Sequence, residues 1–309
     1  MIICYKHLLV VDEKLLKTPE RTLQTILTGF KITGTVLILI LMIQKQTNVV
    51  LSLRRLISFD QKVVQMGVSS SHFLHRVFVS SSCFFIIITQ ICYVLLLYYF
   101  LKRNITQIVC YFFSLGYHFI VIAICIIYLD YFSLILGQKL NFVVNLTKKL
   151  SQTDRKKALS ILVLISGLYT DLYKATKHFN RMISIPILVV TLGDILGGIA
   201  ILNLMYHNEE DVMDCVSLAI YALQVFTIFL PPMYVKKKSE EITKILLGNK
   251  MFDLDAKLEK ARAVLLYQIL HQPIEMTVCG LFPMSMSALS EQVGLCISII
   301  FFLNQIMEF

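Results

Sequence analysis

A polar strip runs along the last apolar segment of this sequence. Glu291, Ser298 and Gln305 recur every seven residues between positions 286 and 306, and Phe302 lies on the same helical stripe. Polar side chains in a membrane span must face protein or water, because burying them in lipid is costly. The strip therefore favours either the lining of a water-filled pore or a seam between packed helices.

A second set of residues could bind a small organic molecule. Its members lie in the outer halves of the apolar segments and combine flat apolar faces with hydroxyl, imidazole or amide groups, a mixture that suits stacking and a few hydrogen bonds. They are Tyr93, Tyr98, Tyr117, His118, Asn203, Tyr221 and Gln224. Because Tyr is also enriched at membrane interfaces, anchoring at the interface is the alternative for these positions.

Two acids, Asp130 and Asp194, lie deep in the third and fourth apolar segments. Ionisable groups inside a membrane invite a role as ion relay or ligand counter-charge, but a carboxyl hydrogen-bonded within a helix bundle is favoured here. Lys31 is the basic residue that interrupts a span. Gly193 and Gly197 flank Asp194 as a small-xxx-small pair that allows close helix contact.

Catalytic and metal-binding patterns are not found in the sequence. His72 and His75 share a helical face, but no third ligand follows at metal-site spacing. There is also no phosphate-binding glycine loop and no nucleophile elbow. We therefore predict no enzyme activity, no metal and no cofactor. A disulfide between Cys110 and Cys215, both near the outer face, stays open because sequence does not give their separation.

Composition points to a membrane protein. Of 309 residues, 57% are hydrophobic and 16% are charged, against about 45–50% and about 25% in soluble domains. This excludes soluble enzymes, disordered chains and disulfide-stapled modules, and it predicts one all-α, polytopic membrane domain over residues 1–309. Six segments approach the ~20 residues that cross a hydrocarbon core. They are residues 23–43, 77–101, 111–136, 183–206, 216–234 and 286–306.

Lys and Arg in the connections predict the orientation, because basic loops stay cytoplasmic. The connections after the first, third and fifth spans are strongly basic, whereas the one after the fourth has four acids and no base. Both termini are therefore expected outside. The formal charge of +9 then reflects the Lys and Arg of the cytoplasmic connections, and nucleic acid is not an expected partner. The sequon at Asn104 should carry a glycan outside the cell, and the one at Asn145 should stay bare inside.

Residues 138–182 and 236–278 are predicted to be cytoplasmic helical extensions of the membrane domain. Apolar residues recur at steps of three and four, which is the spacing of one helical face. In the first extension they are Ile165, Leu168, Leu172, Ala175, Phe179 and Met182; in the second they include Ile242, Leu246, Leu258, Leu265 and Ile269. We expect these faces to pack into a subdomain rather than lie on the bilayer surface.

The carboxyl end carries two short motifs, Leu270-His271-Gln272-Pro273 and Cys279-Gly280-Leu281-Phe282, and Gly294 follows them. These motifs and their spacing resemble the terminal segment of insect gustatory receptors, which are related to insect odorant receptors. The final motif departs from it: Ser298-Ile299 replaces Thr-Tyr and Ile306 replaces Phe, while Gln305 matches. The resemblance implies a seven-span fold of which six spans are visible here, so the first family span is expected to be missing.

The resemblance further implies a ligand-gated, non-selective cation channel that responds to a small organic tastant. Such receptors are homo- or heterotetramers of related subunits in the plasma membrane, with the last helix of each subunit around a central pore and the carboxyl terminus outside. On this chain that helix is residues 286–306, with Ser298, Phe302 and Gln305 as the pore and gate residues. The expected partners are then the ligand, the lipid bilayer, sister subunits and permeating cations.

Other membrane functions fit less well. A G-protein-coupled receptor would show an Asp-Arg-Tyr-like triplet and an inner carboxyl tail, but Asp130-Tyr131 is followed by Phe132. A secondary transporter would tend to show internal repeats and broken spans with paired charges. A non-conducting member of the same superfamily, with a binding or scaffold role, would have much the same sequence and remains the main alternative.

Overall fold

The structure is a computed structural model, and it describes residues 19–66, 105–150, 153–207, 212–249 and 255–307. Within these ranges the chain forms seven helices and one two-stranded hairpin. In chain order they are α1 (Pro19–Gln44), α2 (Gln46–Val64), α3 (Ile105–Lys149), α4 (Arg155–His207), α5 (Val212–Gly248), α6 (Ala256–His271), β1 (Thr277–Val278), β2 (Phe282–Pro283) and α7 (Met286–Met307). The predicted span 77–101 and Asn104 lie outside the described residues.

Three helices are much longer than a membrane is thick. Helices α3, α4 and α5 contain 45, 53 and 37 residues, which correspond to about 68, 80 and 56 Å at 1.5 Å per residue. A hydrocarbon core is only about 30 Å thick. Each of the three helices therefore continues well beyond any span that it contains.

By length and hydropathy, two helical segments of the described chain could cross a membrane. They are Ile120–Lys149 in α3 and Lys157–Ile199 in α4. The pair α1 and α2, bent by 54° where they meet, would give a third if it counts as one broken span. The predicted spans 216–234 and 286–306 fall on α5 and α7, so all five predicted spans within the described ranges are helical.

Helix α4 lies at the centre of the fold and contacts α1, α2, α3, α5 and α6. Its predicted apolar stripe is buried: Ile165, Leu168 and Leu172 are all 0% exposed. Tyr169 lies on the same face and packs in the core, with its hydroxyl 3.4 Å from that of Ser239 on α5. The helical packing expected for this stripe is therefore confirmed.

The sequence suggested a basic loop after the first span, but the structure has helix α2 at this place. It packs on α4 through Phe59 and its neighbours, and Ser52 donates a hydrogen bond of 2.9 Å to the carbonyl of Ala175. Lys62 forms an ion pair of 2.5 Å with the buried Asp171 of α4. The chain after the first span thus belongs to the helical core.

Ion pairs also join α3 to α5 in the region that projects from the spans. Glu241 on α5 accepts from Lys148 at 2.8 Å and from Lys238 at 2.9 Å. These two hydrogen bonds hold the pKa of the Glu241 carboxyl below its usual value. Lys139 of α3 pairs in the same way with Asp60 of α2.

Helix α6 and the hairpin connect this projecting region to α7. Asp255 caps α6 by accepting a 2.8 Å hydrogen bond from the backbone of Lys257. The hairpin pairs Val278 with Phe282, and its turn places Cys279 and Gly280 at φ values of 53° and 71°. Glycine adopts such angles without steric cost, which gives a physical reason for Cys-Gly-Leu-Phe at this point.

Candidate functional site

A polar cluster joins α1, α4 and α5 in the part of the bundle that the sequence assigns to the membrane. The ammonium group of Lys31 donates a 2.5 Å hydrogen bond to the hydroxyl of Tyr221. It also lies 5.1 Å from the centre of the tyrosine ring, within the range of a cation–π interaction. The cluster thus brings together a cation and an aromatic hydroxyl that are 190 positions apart in the sequence.

Asp194 of α4 is the acidic member of this cluster. Its side chain is 3% exposed, and it interacts electrostatically with both Lys31 and Tyr221. One of its carboxylate oxygens, Oδ2, has no hydrogen-bond partner. A buried acceptor without a partner is costly, so this oxygen is a place where a hydrogen-bond donor on a ligand would be stabilised.

Small residues let the three helices approach each other around the cluster. A Cβ atom on Gly197 would lie 2.7 Å from Cζ of Tyr221, and one on Gly34 would lie 2.8 Å from a methyl group of Val189. Gly193, the other half of the predicted pair, faces the ring of Phe30 at an ordinary 3.7 Å. Of the predicted glycine pair, Gly197 therefore makes the close helix contact, and Gly193 makes an ordinary one.

The predicted ligand residues fall in different parts of the described chain. Tyr221 belongs to the cluster, and Gln224, one turn further along α5, has a buried Oε1 without a partner. Tyr117 and His118 lie on α3, and Asn203 lies on α4. Tyr93 and Tyr98 lie outside the described residues. The structure therefore joins one predicted residue, Tyr221, to Lys31 and Asp194 and leaves the rest as predictions.

Lys31 is the member that sequence reasoning missed. It counted there only as a charge that weakened the first span. The signal for its role was present, because a lone cation in one span and a lone acid in another are expected to pair inside a membrane. That rule would have offered Asp130 and Asp194 as partners for Lys31, and the fold selects Asp194.

Asp130 of α3 is a second buried acid, separate from the cluster. It is 6% exposed, and its Oδ1 has no hydrogen-bond partner. Nearby on the same helix, Phe132 stacks on Phe179 of α4 with ring centres 3.8 Å apart. The hydrogen-bonded carboxyl expected for Asp130 is thus not seen at this oxygen.

Among the side chains of α7 that the structure describes, the buried ones lie near the start of the helix. Ala288 and Leu289 are buried, but further along the helix Phe301 is 66% exposed and Phe302 is 61% exposed. Ser298 and Gln305 of the predicted strip are also exposed. Ser298 donates to the carbonyl of Gly294 at 2.9 Å, so its hydroxyl is satisfied within the helix. Most of this helix is therefore available to other molecules.

Two smaller findings concern reactive groups. Cys215 is an exposed free thiol, so the disulfide with Cys110 is not formed in this structure. Within the described ranges, no group of three or more His, Cys, Asp and Glu residues could hold a metal ion.

Long apolar helices that carry buried polar groups, and a last helix left largely uncovered, define a multi-pass helical membrane protein. A profile of the family described as 7tm Chemosensory receptor matches residues 18–307. Because the match covers most of the chain, the protein belongs to the 7tm chemosensory receptor family. A search of curated proteins finds no match.

A solved structure supports the same fold. The chain is similar to the insect olfactory receptor OR5 from Machilis hrabei, with a TM-score of 0.71 and 11% sequence identity. The match covers 99% of this chain and 86% of that receptor. The resemblance to insect chemoreceptors and the helical membrane fold are therefore confirmed. Membership of this receptor family also makes the protein a multi-pass membrane receptor and not an enzyme.

Proposed function

We propose that this protein is a subunit of a ligand-gated, non-selective cation channel that detects a small organic tastant. The observation that carries the proposal is the exposure of α7. A helix whose apolar and polar faces both lie open needs lipid on one side and water or sister helices on the other. In a tetramer with α7 around the axis, Ser298 and Gln305 would face the central pathway, with Phe302 as an apolar constriction.

Assembly is supported by a separate exposed patch outside the spans. Val264, Tyr267 and Leu270 on α6 are 60%, 66% and 75% exposed. Contiguous apolar surface of this kind marks a protein contact or a membrane contact. Helix α6 directly precedes the hairpin and α7, so sister subunits that meet at α6 would hold four α7 helices side by side. We infer a homotetramer or a heterotetramer with related subunits.

Ligand recognition is assigned to the cluster of Lys31, Asp194 and Tyr221, with Gln224 below it. The unpartnered oxygens of Asp194 and Gln224 favour a ligand that donates hydrogen bonds, and the ring of Tyr221 offers a flat face. Tyr93, Tyr98, Tyr117, His118 and Asn203 remain proposed members of the same pocket.

The proposed orientation places the basic connections inside the cell and the carboxyl terminus outside. Asn104→Gln should then remove the one glycan that glycosidase digestion detects as a shift on a gel. A shift that survives this substitution would contradict the orientation. Asn145 is a poor reporter, because it lies on α3 and Thr147 of its sequon is buried and bonded to the carbonyl of Val143.

The pore is tested by cysteine scanning of α7 in cells with a low background current. Thiol reagents applied from outside should alter the ligand-evoked current through Phe302→Cys and Gln305→Cys. Phe302→Ala should raise the ligand-independent current, because a narrow apolar ring closes a pore by excluding water. Gln305→Glu should favour divalent over monovalent cations by adding negative charge near the mouth.

The second candidate function is a non-conducting receptor of the same family. It is favoured by the self-satisfied hydroxyl of Ser298, which needs no water-filled pathway. If tetramers reach the surface, bind ligand and give no current that cysteines at Phe302 or Gln305 can modify, this second function replaces the channel.

A further inference from the structure

A cavity of about 760 Å³ opens where three parts of the fold meet. Its walls come from the bend between α1 and α2, from the middle of α4, and from the segment that links α6 to the hairpin. Lys45, Lys177 and Arg181 supply three cations, and Glu275 supplies one carboxylate. Among the residues that line the cavity, positive charge therefore exceeds negative charge by two.

These cations differ from four lysines elsewhere in the described chain that have an acidic partner. Lys62, Lys139, Lys148 and Lys238 each form an ion pair with an acid. Within the described ranges, no carboxylate lies within ion-pair distance of Lys45, Lys177 or Arg181. Three neighbouring cations without a counter-charge repel each other, so an anion that enters the cavity would relieve this repulsion.

The pKa of His178 responds to the positive charges near the cavity. This histidine is the neighbour of Lys177 in the sequence and lies outside the predicted span 183–206. Burial lowers the pKa of its imidazole, and the charges of Arg181, Arg55 and Lys177 lower it further. Two of the cavity cations, Lys177 and Arg181, thus act together on the neighbouring His178.

The cavity lies at the level of a membrane surface. Lys45 lies two residues after the predicted span 23–43, and Ser184 and Ile185 lie at the start of the span 183–206; all three line the cavity. The basic ends of the spans are expected on the cytoplasmic side, where the leaflet carries anionic lipids. The open cations therefore face the layer in which lipid phosphates lie.

We propose that this cavity binds the phosphorylated headgroup of an anionic lipid from the inner leaflet. Lys45, Lys177 and Arg181 pair with the phosphate oxygens, and Arg181 can do so through two parallel hydrogen bonds. Asn48 and Thr277, which also line the cavity, can donate to the remaining oxygens.

Binding at this place would couple the lipid to the last helix. Cys279 and Gly280 of the hairpin turn line the cavity, and α7 begins six residues after Gly280. A headgroup held by Lys45 and Arg181 would therefore fix the hairpin against α1 and α4. The inference concerns binding alone, so it does not depend on whether the tetramer conducts.

The test measures lipid binding to the purified full-length protein by native mass spectrometry. The probe is dioctanoyl phosphatidylinositol 4,5-bisphosphate, compared with dioctanoyl phosphatidylcholine and with soluble inositol 1,4,5-trisphosphate. The bisphosphate lipid should bind at least tenfold more tightly than phosphatidylcholine. It should also bind more tightly than the soluble trisphosphate, because only the lipid keeps its acyl chains at the membrane level. Equal binding of the soluble trisphosphate would overturn the lipid as the source of the phosphate.

The matched variants neutralise three charges each. Lys45→Gln/Lys177→Gln/Arg181→Gln should weaken binding roughly 100-fold, since each Lys or Arg near an anionic surface contributes about fivefold. The control Lys157→Gln/Lys174→Gln/Lys244→Gln removes the same charge from exposed positions away from the cavity and should change binding less than about threefold. Equal losses in both triple variants would overturn the site.

A single substitution tests the site independently of the triple variant, which could lose binding because it misfolds. Glu275→Gln removes the carboxylate that competes with the phosphate, and the backbone carbonyl of residue 275 still accepts its hydrogen bond from Asn180. This variant should bind the bisphosphate lipid about fivefold more tightly. Unchanged or weaker binding by a protein that elutes as wild type would contradict the proposal.

Discussion

The projecting part predicted from the sequence (residues 138–182 and 236–278) and the membrane part (the predicted spans) differ in how their polar side chains are paired. In the described chain, every ion pair within 4 Å has at least one partner in the projecting part. Six buried polar side-chain atoms of the described residues lack a hydrogen-bond partner, and four of them, on Asp130, Asp194, Gln224 and Gln292, belong to predicted spans. The other two, on His178 and Asn180, belong to the projecting part.

The projecting part therefore serves as a scaffold, meaning a part whose polar side chains mostly find partners within the chain, whereas the membrane part keeps more unpaired polar atoms. Native structures satisfy nearly all buried polar groups, so each exception calls for a partner from outside the chain. In the projecting part, Gln268 bonds to both Ser166 and Thr170 and leaves nothing open. In the membrane part, Oδ2 of Asp194 and Oε1 of Gln224 have no hydrogen-bond partner, and the proposed function assigns them to ligand binding.

The largest expected effect on stability comes from placing charged residues in the buried core of the projecting part. Leu168→Asp/Leu172→Asp places two carboxylates where both side chains are 0% exposed. The loss of apolar burial and the cost of buried charge should together exceed about 5 kcal/mol, so tetramers should disappear from native gels. Leu159→Asp/Val163→Asp is the control on the same helix, at sites that are 36% and 66% exposed. Equal damage from both pairs would show that the stripe is no more tightly packed than the helix surface.

A smaller effect is expected from breaking the membrane cluster. Lys31→Met leaves Asp194 buried without its cation, which should lower the free energy of unfolding by about 3 kcal/mol. The additional change Asp194→Asn should restore part of the loss in thermal unfolding of the detergent-purified protein. Lys148→Met, on a pair whose lysine is 54% exposed, should cost less than about 1 kcal/mol. Equal costs for Lys31→Met and Lys148→Met would remove the contrast between the two regions.

Two adjacent glycines allow a finer test of the cluster. Gly197→Ala puts a methyl group 2.7 Å from the ring of Tyr221 and should cost about 2 kcal/mol by overpacking. It should also shift the ligand concentration for half-maximal response, because the Tyr221 side chain, whose hydroxyl accepts from Lys31, must move. A methyl group on Gly198 meets no atom within 4 Å, so Gly198→Ala should be neutral or slightly stabilising. Similar dose–response curves for both variants would argue against Tyr221 as a ligand residue.

The smallest effect concerns pH and the scaffold. The pKa of Glu241 is lower in the folded protein than its ordinary value of 4.5. Its ion pairs therefore stabilise the fold above about pH 4.5, and this contribution is lost as the pH falls through the folded-state pKa. Because the side chain is 30% exposed, the contribution should be about 0.5 kcal/mol.

Melting temperatures measure this contribution. Glu241→Gln should melt slightly below wild type at pH 7, and the two proteins should converge near pH 3. Glu240→Gln, at the exposed neighbouring position, should follow wild type at both pH values. A difference between Glu241→Gln and wild type that grows on acidification would have the wrong sign.

Local patterns in the sequence predicted the scaffold well. The steps from Ile165 to Met182 define one helical face, and that face is buried. Leu56, Phe59 and Val63 of α2 also recur at steps of three and four, so this helix was readable although the basic residues around it suggested a loop. Both patterns are visible because helix periodicity depends on neighbours only three or four positions away.

The site was harder to predict because its parts are distant in sequence. Lys31 and Tyr221 meet only after α1, α4 and α5 pack together, and no periodicity connects them. The cavity at Lys45 and Arg181 depends likewise on the bend before α2 and on the hairpin after α6. Composition could identify Lys31 and Asp194 as unusual, but the helix packing decides which groups they face.

The great length of α4 has a mechanical consequence. Pro186 interrupts its backbone hydrogen bonding between the part that carries Tyr169 and the part that carries Asp194. The part that carries Tyr169 is packed in the core and is taken as fixed. A tilt of ~5° about Pro186 would move Asp194 by only ~1 Å but the far end at His207 by ~3 Å, since these residues lie ~12 and ~32 Å along the helix. A ligand that shifts the cluster slightly would thus move the end of α4 at His207 about three times as far.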